Sequence, residues 1–142
     1  ERFARAPGAA LLIDYGHSPS AAGPTLAALR HHQSVGVLDD PGNADLSAHV
    51  DFAAFAASAR SAGAAVWGPV PQGRFLAALG AEARLARLAE WASPAQRAVL
   101  ESGLKRLIDP AEMGNLFKAM ALSSPGMPAP AGFAEASTVG GE

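Results

Sequence analysis

The sequence predicts an α/β fold: part of an open sheet with about three strands and about five flanking helices. Three observations lead there. "GAALLID" (8–14) and "AAVWGPV" (64–70) are apolar runs without strict alternation, the pattern of strands buried on both faces. Stretches of helical period separate them. So few strands for so much helix make a thin sheet, whose edge hydrogen bonds call for neighbouring strands elsewhere.

Along the chain, "ERFARAP" (1–7) reads as the end of a helix, and the 8–14 strand is stopped by Gly16 and Pro19. "TLAALRHH" (25–32) predicts a short helix, with Pro24 just ahead of it. "DDPGNAD" (39–45) is dense in turn formers and reads as a loop. Asp51 then opens a helix whose Phe52, Phe55, Ala56 and Ala59 share a face, with Gly63 suited to a left-handed stop.

After the 64–70 strand comes a short helix, 72–80, with a glycine stop, then "AEARLARLAEWA" (81–92) with Leu85 and Leu88 at helical spacing. Ser93 and Pro94 form a cap and a first-turn proline. Val99, Leu100, Leu104, Leu107 and Ile108 form one core-facing stripe on the helix that follows. Asp109-Pro110-Ala111-Glu112 predicts another capped start, with Glu112 reaching back as in a capping box. "NLFKAMALSS" (115–124) is the third strand. The boundary falls there: 1–124 forms the folded part, and 125–142, rich in proline, glycine and small residues, is expected as a disordered tail.

Composition excludes several classes. Charged residues are 17% and aromatic ones 6%, and much of the apolar 49% is alanine, so small residues fill the core. A net charge of -2 with scattered arginines lacks the basic face of a nucleic-acid binder. With no cysteine there is no disulfide, thiolate metal site or cysteine nucleophile. No apolar run approaches the ~20 residues that cross a bilayer. Without a signal peptide or an initial methionine, the chain reads as cytosolic and as starting within something longer.

The chemistry-bearing residues cluster at the end of the first strand, "IDYGHSPS" (13–20). "GHSPS" approaches the nucleophile elbow of α/β-hydrolases, but Ser20 replaces the final glycine and Pro19 follows Ser18. Proline has no N–H to donate to an oxyanion, and losing one such donor costs ~10²–10³ in rate. The hydrolase reading is therefore a distant alternative. Asp14 ends a strand where ligands of open α/β sheets bind, yet Asp with Gly two residues on is also ordinary turn chemistry. Both readings of Asp14 stay open. Tyr15 either stacks on a ligand or packs at the sheet edge. His31 and His32, adjacent in sequence, make poor joint metal ligands, and no metal site is expected. His49 and Asp51 would share a face on a strand, but the cap reading of Asp51 is favoured because a periodic helix follows it. There is no glycine-rich loop that would cradle a phosphate or nucleotide.

"GAALLIDYGH", "PGNADLSAHVDFAAFA", "GPVPQGRFLAALG", "RLIDPAEMGNLFKAMALSSP" and "PAGF" occur in that order. Together they resemble the C-terminal portion of the MidA-like methyltransferases, over nearly all of 8–133. The resemblance implies a Rossmann-like class I methyltransferase fold that binds S-adenosylmethionine, with 8–16 as its fifth strand and the two later strands closing the sheet, one of them antiparallel. It implies methyl transfer to an arginine of a protein substrate, a respiratory complex I subunit for mitochondrial members, and a bacterial relative in the cytoplasm. The family's main cofactor loop has no counterpart in these residues, so the isolated chain is expected to be inactive. Asp14, Tyr15, His17, Asp45 and His49 are the catalytic candidates, and Asp14 and Gly16 the possible cofactor contacts. Asp14 and Asp45 are the candidates for holding a cationic guanidinium. The alternative from another class is a non-catalytic module that docks a protein partner.

Overall fold

A computed structural model describes residues 6–134. Residues 1–5, most of the expected helix end, and 135–142 of the expected tail lie outside the described residues. The strands are β1 (Ala9–His17), β2 (Ala27–Arg30), β3 (Gln33–Val35), β4 (Asp45–Ser47), β5 (Val50–Asp51), β6 (Ala65–Pro71) and β7 (Phe117–Ser123). The helices are α1 (Phe52–Ser61), α2 (Gln72–Ala78), α3 (Ala81–Ala89), α4 (Pro94–Ile108) and α5 (Met113–Leu116).

The α/β class holds, and the three expected strands are β1, β6 and β7. They lie in one four-stranded sheet ordered β5-β1-β7-β6. β7 runs antiparallel to both β1 and β6. A reversed strand thus separates β1 from β6, and one of the two later strands is antiparallel as the resemblance implies. β1 is parallel to β5, but only Gly16 and His17 pair with it. Among the described residues, Ala9 to Tyr15 therefore pair on one side only, with β7.

Alternation along β7 divides the core. Ala119 and Ala121 point to one face and pack with Val70 of β6, Phe75 of α2 and Phe133. Met120 points to the other, against Phe52 and Ala56 of α1. Each fully buried phenylalanine contributes about 1.5–3 kcal/mol relative to exposure. Phe133 is 1% exposed, so the chain does not leave the fold at Pro125 as expected. Its proline- and glycine-rich composition hides one large apolar anchor, and that anchor holds Pro125 to Ala134 against the body.

Two polar side chains bridge elements of the body. Trp67 donates its indole N–H to Ser123 Oγ at 3.1 Å, and Gln72 donates to the Leu107 carbonyl at 2.9 Å. The second bond ties α2 to the end of α4. Gly114 approaches so closely that a Cβ there would overlap the Ile108 carbonyl oxygen.

Two of the three helix starts expected to be capped have the expected chemistry. Asp51 caps α1 by accepting from Ala54 N–H, and Ser93 with Gln96 forms a reciprocal capping box on α4. α2 and α3 begin without a side-chain cap bond.

Four other expectations are corrected. β1 runs through Gly16 to His17, because pairing with β5 supports its end. The 25–32 segment is no helix: β2 forms a second sheet, β3-β2-β4, and turns back at His31 and His32, both with positive φ. Strand pairing here overrides the helix propensity of Ala and Leu. Glu112 makes no side-chain cap bond, and Asp109 instead ends α4 while its carboxylate accepts from Ala111 N–H at 2.9 Å. None of the α4 stripe is buried.

Candidate functional site

The polar groups gather at the carboxyl end of β1. Tyr15 and His17 are two residues apart and so share a face of the strand. The parallel register sets His17 beside Asp51. That brings the segment holding His49 and Asp51 alongside Tyr15 and His17. Tyr15 meets the His49 ring edge-on, with centroids 5.1 Å apart and planes at 85°. Its other neighbour is Phe117 at the start of β7, at 5.9 Å. The His17 and His49 rings are 6.4 Å apart.

His17 Nε2 lies 3.9 Å from Asp51 Oδ2. It is buried, and has no hydrogen-bond partner among the described residues. Asp51 Oδ1 is already engaged, accepting from Ser20 Oγ at 2.8 Å and from Ala54 N–H at 2.9 Å. Oδ2 thus remains free to face the imidazole. The Ala54 backbone bond, then the Ser20 hydroxyl, hold the Asp51 carboxyl below its ordinary range, and His17 adds a smaller effect in the same direction. One carboxylate therefore both caps a helix and stands beside a histidine.

Gly16 has a packing role. A Cβ there would overlap the Val50 carbonyl oxygen and press on the Phe52 ring at 2.9 Å, so only glycine admits β5 at this distance.

The structure brings three sequence candidates together: Tyr15, His17 and His49. Asp14 projects to the opposite face of β1; its carboxylate is exposed and accepts from Tyr15 N–H at 2.8 Å. Asp45 belongs to β4 and pairs across to Leu29 in the small sheet. Asp51 is the helix cap that the sequence predicts, but its histidine neighbour is His17, not His49. Ser20 and Phe117 were missed. Ser20 left one signal, its place in a turn beside a charged strand end; Phe117 left none beyond its apolar character. Ser20, not Ser18, is the serine tied to the carboxylate.

Among the described residues, no group of three or more His, Cys, Asp or Glu could hold a metal ion. No helix there is long and apolar enough to cross a membrane.

Residues 1–70 match a family model described as "Putative S-adenosyl-L-methionine-dependent methyltransferase". That span contains the whole β1–β5 cluster except Phe117. The chain is 41% identical over 123 residues to the mitochondrial protein arginine methyltransferase NDUFAF7 homolog of Drosophila melanogaster. It is 39% identical over 123 residues to protein arginine methyltransferase NDUFAF7 of Rattus norvegicus. Each match takes in 86% of this chain and 28% of the relative, so the chain spans less than a third of their length. Among solved structures, an uncharacterized superfamily protein from Burkholderia thailandensis superposes with a TM-score of 0.79 at 33% identity, over 92% of this chain and 37% of the other. A superfamily member from the same organism, bound to S-adenosyl-homocysteine, gives 0.76 at 33% identity, over 91% and 35%.

Proposed function

We propose, for a chain that belongs to the S-adenosyl-L-methionine-dependent methyltransferase family, that it is the C-terminal part of an enzyme that methylates arginine in a protein substrate. The observation that carries this reading is the strand order: β7, antiparallel, sits between β1 and β6, with the polar cluster at the carboxyl end of β1. In open α/β sheets that end of a strand faces the ligand. The edge of β1 from Ala9 to Tyr15 is where the rest of the sheet would pair.

The described residues fit the acceptor side better than the cofactor side. They include no glycine-rich strand-to-helix loop to cradle a nucleoside, and Gly16 is required by the approach of β5. S-adenosylmethionine supplies a methyl group on a sulfonium; its main grip would lie in the longer protein. The chain's own residues would receive the guanidinium. Tyr15 and Phe117 offer ring surface against which a planar cation can lie. Asp51 Oδ2 offers negative charge, and the His17 ring turns its buried Nε2 toward that carboxylate, so its other ring nitrogen would take the proton that the guanidinium nitrogen gives up. Asp51 then steadies the imidazolium. The substrate is a protein; a respiratory complex I subunit is its narrower form, with the cytoplasm as compartment for a bacterial protein.

Calorimetry with S-adenosylmethionine tests the reading. A longer protein containing this sequence should bind, and this chain alone should not. Failure of the longer protein to bind removes the enzyme reading. In that protein, His17→Ala should lower methyl transfer to an arginine peptide by about 10²-fold or more, while cofactor binding persists.

A further inference from the structure

The hairpin of α3 and α4 carries an apolar surface that neither core cluster uses. Trp91 is 91% exposed, whereas the other tryptophan, Trp67, is packed and hydrogen-bonded. Val99 is 71% exposed. Leu88, Trp91, Ala92, Gln96, Val99 and Leu100 line an open groove of about 430 Å³ with no charged side chain in its wall. A second depression adjoins it, lined by Arg84, Arg87, Leu88 and Trp91. Leu88 and Trp91 belong to both. The second depression holds two guanidinium groups and no carboxylate, and neither arginine is in an ion pair among the described residues.

An exposed indole flanked by arginines on one side and an apolar trough on the other is the composition of an interface hot spot. We propose that this surface docks an acidic amphipathic helix of a partner protein. Its apolar row would enter the trough between Trp91 and Val99, and its flanking carboxylates would meet Arg84 and Arg87. Charge selects this occupant. A second copy of the chain docking through the same patch would bring no carboxylate of that patch to these arginines. A basic helix would meet repulsion. The surface is independent of the strand-end cluster, so it stands or falls apart from the methyltransferase reading.

The test uses the full chain and a synthetic amphipathic helix with leucines at i, i+3, i+4 and i+7 and glutamates beside that stripe. A twin peptide carries lysines instead. The glutamate helix should shift tryptophan emission to the blue and saturate, and Trp91→Phe should abolish the shift. Its affinity should fall as salt rises. Arg84→Glu with Arg87→Glu should weaken it by about tenfold and favour the lysine twin. Circular dichroism confirms that the variant is folded, and the salt series on the unaltered chain needs no variant. Equal binding of both peptides, no salt dependence, or a Trp91-dependent dimer that excludes the peptide would overturn the proposal.

Discussion

β1 and β7 lie side by side, register Ala9 with Ser123 through to Tyr15 with Phe117, and both are apolar. Their surroundings differ. β7 has a partner on each edge and cover on each face, and Met120 is 0% exposed. On β1, Leu11 and Ile13 stand opposite Ala121 and Ala119, on the same face, yet are 55% and 43% exposed. The helix and Phe133 that cover that face of β7 do not reach across to β1. An apolar run states that a strand wants cover; its neighbours decide whether it has it. In β1 the uncovered face is also the one that ends in Tyr15 and His17, so the bare strand and the polar cluster are continuous.

The largest effect that would break this contrast is loss of an anchor from the covered side. Phe133→Ala should cost about 3–5 kcal/mol by denaturant unfolding, and Met120→Ala about 2–5. A Phe133→Ala cost under ~1 kcal/mol would mean that the segment after Ser124 contributes little to the core.

Gly16→Ala comes next. The new methyl must displace Val50 or Phe52, at about 1–3 kcal/mol, and should disturb the His17 and Asp51 resonances in the NMR spectrum. An unchanged His17 environment would show that β5 is not fixed by this close approach.

Asp51→Ala should lower the denaturation midpoint at neutral pH through the lost cap. The pH sign follows from the lowered carboxyl. Folding holds Asp51 below its ordinary value of 3.8, so the unfolded chain takes up the proton first. Its stabilising share is therefore full above about pH 3.8 and fades as pH falls through the lower folded value. Acid unfolding of wild type and Asp51→Ala should converge there; parallel curves down to the lowest pH would contradict it.

Smallest is Leu11→Ser on the open face, expected within about 0.5 kcal/mol in this chain. The same substitution in a longer protein with the sheet extended past β1 should cost several-fold more. Equal small costs in both would show that nothing covers this face.

Much of the frame was legible. Apolar runs located β1, β6 and β7, and periodicity with Asp51 or Ser93-Pro94 located α1 and α4. The small sheet was not legible, because "TLAALRHH" carries helix-forming residues and its turn uses two histidines at positive φ where glycine or asparagine would have signalled it. Of the site, Tyr15, His17 and His49 were visible as a polar strand end. The pairing of Asp51 with His17 was not, since spacing along the chain favours His49. Phe133 was hidden inside a segment whose composition resembles a tail.

What the sequence determined alone is local: which runs are extended, where two helices are capped, and that polar groups crowd the end of one strand. These follow from residue type and spacing within a few positions. Tertiary structure decided that β7 reverses between β1 and β6, that an aspartate which caps one helix also faces a histidine more than thirty residues earlier, and that Trp91 stays in water. Each of those depends on which distant segments become neighbours, and the steric and hydrogen-bonding fit of whole elements sets that.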